Sequence, residues 1–138
     1  MNAYAKAALL GAATGMRTSA GPLAVAWNKS DSRPMRNLFA FGAEVCADKL
    51  PFIGSRTRVG GLAARAGSAI YAARSSSESS PGTLAVAAAA AIGTAFLAKR
   101  VRLALAKRTR IPQQIIGIAE DALTLGLVYV ISLDNRRS

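Results

Sequence analysis

With 138 residues the chain has room for one domain, and 51% hydrophobic residues with only 6% aromatic and a net charge of +11 set it apart from an ordinary soluble domain. One cysteine and no histidine exclude an internal disulfide and a His- or Cys-rich metal cluster. The basic balance would suit nucleic acid, but no nucleic-acid motif and no series of stacking aromatics accompanies it, so no nucleic acid is expected and Lys and Arg are read as meeting anionic lipid headgroups.

The first predicted helix covers about residues 3–27. Lys6 followed by a short apolar run loosely imitates a signal peptide, but glycines and Arg17 interrupt the run, so a retained membrane helix is expected. Gly11 and Gly15 are spaced for a close helix–helix approach. Gly15, Gly21 and Pro22 predict a kink or a break beside Arg17, whose charge must then face protein, a water-filled cavity or the interface. Trp27 suits an interfacial belt, and Asn28 to Pro34 form a polar connection.

The second helix, about residues 35–50, puts Ala40, Glu44, Ala47 and Asp48 on one face, and Pro51 ends it. From Glu44 to Arg58 the chain gathers two carboxylates, Lys49, Ser55, Arg56 and Arg58 in an otherwise apolar sequence. At membrane depth each such charge costs roughly 2.5–3.5 kcal/mol, so function is expected to concentrate here. Cys46, on the opposite side of that helix and without a histidine to activate it, reads as a packing residue. The third segment, about residues 59–73 with Arg65 in its middle, is either a short crossing or half of a re-entrant hairpin. Arg74 to Gly82 is a Ser-rich loop closed by Pro and Gly.

The fourth helix, about residues 83–106, is free of charge from Thr83 to Ala98 and is the clearest membrane helix. Lys99 to Arg110 then supply six basic residues and no acid, which marks a cytoplasmic loop. The fifth helix, about residues 112–133, opens with Pro112 and carries Glu120 and Asp121, with Gly117 and Thr124 close by, as a second polar stripe. Gly15 to Pro34 and Gly93 to Pro112 share one spacing. The expected fold is therefore an all-α polytopic membrane protein of four to five transmembrane helices, a pattern that admits two inverted two-helix repeats with short or broken helices.

GAATGMRTSAGP, ADKLPFIGSRTR and IAEDALTLGL together resemble an uncharacterised family of small bacterial multi-spanning membrane proteins, grouped only as a domain of unknown function. Its recurring segments, G-x-R-S/T-x-x-G-P, E-x-x-A-D-K-L-P followed by S-R-T, and A-E-D-A-L, stand here in the same order and cover most of the chain. The resemblance implies the bacterial cytoplasmic membrane and singles out Arg17, Thr18, Pro22, Glu44, Asp48, Lys49, Pro51, Ser55, Arg56, Glu120 and Asp121. It implies no activity and no cofactor.

Three functions compete on these residues. Carboxylates and arginines at membrane depth are how ion- and proton-coupled sites are built, so the leading expectation is transport or channelling of a small charged solute: an ion or a proton-coupled anion. In that reading Glu44 and Asp48 meet Glu120 and Asp121 around a hydrated site, with Arg17, Lys49 and Arg65 as counter-charges. The alternative is a non-catalytic oligomeric scaffold, or a module that holds a lipid phosphate through Arg17, Arg56, Arg58 and Arg65. An enzyme is expected least; without histidine only carboxylate acid/base chemistry or a carboxylate-bound Mg²⁺ would remain. A homo-oligomer, most simply a dimer, is expected from the small spans.

Overall fold

The computed structural model describes residues 1–27, 33–47, 59–76, 80–108 and 111–137. These form six helices: α1 (Ala3–Met16), α2 (Ala20–Ala26), α3 (Arg33–Ala47), α4 (Val59–Arg74), α5 (Pro81–Arg108) and α6 (Gln113–Arg137). The fold is all-α over these residues.

The expected first helix is two helices, and this is the largest correction to the sequence reading. Helix α1 stops at Met16 and the chain reverses through Arg17, Thr18 and Ser19. Gly21 returns to the side of α1, where a Cβ on it would overlap the Thr14 hydroxyl and lie 3.5 Å from the Leu10 carbonyl oxygen. In a straight helix Leu10 and Gly21 would be roughly 16 Å apart, so α1 and α2 form a tight hairpin rather than a kinked rod. The physical reason lies at Pro22. It occupies the first turn of α2, where a missing N–H costs nothing, and the Thr18 carbonyl that it cannot engage accepts from the Ser68 hydroxyl instead, 2.5 Å away.

The other boundaries follow local chemistry. Asn2 caps α1 by accepting from the Tyr4 amide at 2.8 Å. Helix α5 starts two residues earlier than expected because Ser80 and Thr83 exchange side-chain-to-backbone hydrogen bonds (2.9 and 3.2 Å) with Pro81 as first helical residue. It also continues to Arg108. Most of the expected basic loop is thus helix, since Leu, Ala, Lys and Arg are strong helix formers and no breaker intervenes.

Helix α5 lies parallel to α1, Gly11 meeting Ala87 and Gly15 meeting Ala91. Helix α4 runs antiparallel to α1, with Ala69 and Ala73 packed with Ala7, and Arg65 beside Gly15. Helix α6 is also antiparallel: Asp121 sits at Arg17, and Asp134 at the Met1 amine and Lys6. The α2 core, with Leu23, Ala24 and Val25, packs with Leu10 and Ala13 of α1, Phe41 of α3, Ala72 of α4, and Val128 and Ile131 of α6. Where the two equally spaced Gly-to-Pro stretches are compared, the chain breaks at Arg17 in the first but α5 passes unbroken in the second, which has no counterpart of the Gly21-Pro22 pair.

Among the described residues two stretches, Pro81–Arg108 and Gln114–Asp134, are by length and composition long and apolar enough to cross a membrane. Only 22% and 28% of their most apolar windows is buried within the chain, so most of that apolar surface faces outward.

Candidate functional site

The hairpin tip leaves three kinds of unsatisfied groups: the last carbonyls of α1, the first amides of α2, and the Arg17 guanidinium between them. Each finds a charged or polar partner from a different helix. Glu44 of α3 accepts from the Thr18 amide (2.7 Å) through one carboxylate oxygen, and from the Ser19 amide (3.0 Å) and Ser19 hydroxyl (2.8 Å) through the other. Ser19 makes no side-chain cap for α2, so Glu44 supplies from another helix the carboxylate that a capping box would supply locally.

Arg17 is buried to 2% exposure and donates through Nε (2.7 Å) and Nη2 to Asp121 Oδ1. The neighbouring turn of α6 is drawn in as well: the Thr124 hydroxyl bonds the Glu120 carbonyl at 2.8 Å and lies 3.6 Å from the Met16 sulfur. Arg65, 4% exposed, donates from Nε to the Gly15 carbonyl at 3.1 Å, placing a cation at the carbonyl end of α1. Its guanidinium is also within electrostatic reach of Glu44, Arg17 and Glu120. Glu120 pairs with Arg102 of α5 at 3.3 Å and lies within electrostatic reach of Arg17, Asp121 and Arg65.

The structure thus brings together Arg17, Thr18, Glu44, Arg65, Glu120 and Asp121 around one helix break. Within it Glu44 accepts from backbone amides, Asp121 accepts from Arg17 and Glu120 pairs with Arg102. Thr18 takes part through its amide and carbonyl. Asp48, Lys49, Ser55 and Arg56 lie outside the described residues. Among the described residues no group of three or more His, Cys, Asp or Glu side chains could hold a metal ion.

Three participants escape sequence reasoning. Ser19 lies inside the GMRTSAGP stretch but looks no different from any small polar residue. Ser68 is a lone hydroxyl in a run of small residues, and Arg102 is hidden among the six basic residues that suggest a loop. A helical projection of α5 would have separated Arg102, on the side of Ala98, from Arg100 and Arg108. Counted from Asp121 to Asp134, the cluster lies roughly 20 Å along the helix axis from the end where both chain ends meet.

No family model, no curated protein and no solved structure matches this chain.

Proposed function

We propose that the protein is an integral protein of the bacterial cytoplasmic membrane, from the family that its motifs resemble, and that it transports or conducts a small charged solute past the α1–α2 hairpin tip. Five membrane-embedded segments are assigned: the α1–α2 hairpin entering and leaving on one side, then α3, α4, α5 and α6. What supports the membrane assignment is the outward apolar surface of α5 and α6, including Phe96, Leu97, Ile115, Ile118, Leu123, Tyr129 and Val130, all exposed.

The observation that carries the solute reading is the reversal at Arg17–Ser19, with Glu44, Arg65 and Asp121 converging on it from three other helices. Non-helical backbone at membrane depth is tolerated where protein encloses it or where it lines a path, and half-helix ends are where transporters hold ions. In this arrangement the arginines attract an anionic group, and a carboxylate that exchanges its partner takes up or releases the proton.

A second reading, a static oligomeric scaffold, is favoured by the completeness of the pairing, since Arg17, Glu44 and Asp121 all have partners in this state. Liposome flux separates the two. Wild-type protein is expected to carry at least one of protons, sodium, chloride or phosphate faster than empty liposomes. The Glu44→Gln/Glu120→Gln double variant should lose tenfold or more of that flux, the factor that about 1.4 kcal/mol represents. A folded double variant with every flux unchanged would give the scaffold reading.

The oligomer has its own check. The outer face of α3, with exposed Met35, Leu38 and Phe39, lies opposite Phe41 and Glu44, and an exposed Cys46 ends it. Native mass spectrometry in mild detergent is expected to find a dimer. A purely monomeric protein would refute the homo-oligomer.

A further inference from the structure

Past the C-terminal end of α1, helices α5 and α6 part and leave a cleft of about 350 Å³, with Met16 closing its inner end. Its walls are apolar, from Leu97, Val101, Ile116 and Leu123, and Arg102 and Glu120 are the charged residues that line it. We propose that this cleft holds one acyl chain of an anionic phospholipid, with the phosphate taken by Arg102. The inference rests on the membrane assignment above but not on transport.

Arg102 is the reason for an anionic occupant. Its Nη2 faces Glu120 at 3.3 Å, while its Nε is buried and has no hydrogen-bond partner among the described residues. A buried guanidinium N–H without an acceptor is costly, and a phosphate oxygen is a strong acceptor for it. Gly117 makes the room, because a Cβ there would come within 3.0 Å of Arg102 Nη2. Glu120 meets Arg102 through Nη2, and the Arg102 side chain is still 27% exposed, so the guanidinium is not closed off from a phosphate at the mouth of the cleft.

Depth agrees with this chemistry. The charge-free run of α5 ends at Ala98, and Arg102 lies one turn beyond it, roughly 6 Å further along the axis, at headgroup level. The cleft then extends back from Arg102 past Ala98 to Thr94 and Met16, in the direction of the hydrocarbon core. A headgroup at the basic end and a chain along the apolar walls is the orientation a bilayer lipid already has. A water-soluble anion would have no use for those walls, and a wholly apolar occupant would leave the Arg102 Nε unsatisfied.

The test is native mass spectrometry of detergent-purified protein titrated with phosphatidylglycerol and phosphatidylcholine of identical acyl chains. Wild-type protein should retain one phosphatidylglycerol per chain in about tenfold preference to phosphatidylcholine, as expected of a charge-assisted contact. Arg102→Gln should abolish the preference, and Ala98→Phe, which fills the cleft and leaves the charges in place, should abolish retention of both lipids. If Arg102→Gln fails to fold, the wild-type preference and its loss in Ala98→Phe decide the matter. Equal retention of the two lipids, undiminished retention by the folded Ala98→Phe variant, or displacement of phosphatidylglycerol by an equal concentration of oleate overturns the proposal. So does a disulfide between two Leu97→Cys chains in a Cys46→Ser background, which would mean that a second copy covers the cleft. Purification as a soluble protein without detergent would instead refute the membrane assignment itself.

Discussion

Asp121→Ala is expected to destabilise the protein by about 3–5 kcal/mol, the cost of leaving a buried charge without its partner. Arg17 is 2% exposed and directs two guanidinium nitrogens at one Asp121 oxygen, so removing the carboxylate takes away the acceptor that both donors share. The two sides of the pair are not equivalent. The Asp121 side chain is 15% exposed and that of Arg17 only 2%, so a carboxylate left alone is less deeply buried than a guanidinium left alone. Arg17→Met should therefore cost less than Asp121→Ala, and the Arg17→Met/Asp121→Ala double variant should be more stable than the sum of the two single losses predicts. Reversible unfolding in mixed micelles, run as a double-mutant cycle, measures this coupling. Single variants that lose less than about 1 kcal/mol, or a cycle that closes additively, would mean that the pair contributes little beyond packing.

The same residues show how far the sequence can be read. The break beside Arg17 is legible in Gly15, Gly21 and Pro22, because those residues withdraw helix propensity just where a charge must be accommodated. Its geometry is not legible. A Gly-Pro pair permits a kink and a reversal alike, and the choice is made by tertiary groups, namely the Ser68 hydroxyl on the Thr18 carbonyl and the Glu44 carboxylate on the Thr18 and Ser19 amides. Charge pairing is harder still to read. A sequence displays its arginines and carboxylates but not its unsatisfied amides and carbonyls, so opposite charges are matched with one another on paper. In the folded chain Glu44 also accepts from backbone N–H groups and Arg65 also donates to the Gly15 carbonyl. Arg102 is missed for a different reason. Six basic residues in twelve suggest a loop, although none of them is a helix breaker, and α5 continues through most of them.

The fit of α1 against α5 that positions the tip yields a prediction with its own controls. A Cβ on Gly11 would overlap the Ala87 carbonyl oxygen, and one on Gly15 the Ala91 carbonyl oxygen; each would also come within 2.8 Å of a side-chain carbon, Ala90 or Thr94 respectively. Backbone atoms of a packed helix cannot rotate aside, so α1 and α5 must separate to admit even one methyl group. Gly11→Ala and Gly15→Ala should each cost about 1–3 kcal/mol by overpacking, partly offset by up to about 1 kcal/mol of improved helix propensity. Gly67→Ala and Gly93→Ala add the same methyl group in helices where a Cβ would meet nothing within 4 Å, so they should be neutral or stabilising. Gly15→Ala should go further than Gly11→Ala in function, because the Gly15 carbonyl accepts from Arg65 and Arg17 is two residues away. A shift of α1 there moves the anchors of the tip itself, so the flux of folded Gly15→Ala protein should fall below that of Gly11→Ala at matched stability. If all four substitutions change the unfolding midpoint equally, the close α1–α5 approach is not what sets the position of the hairpin.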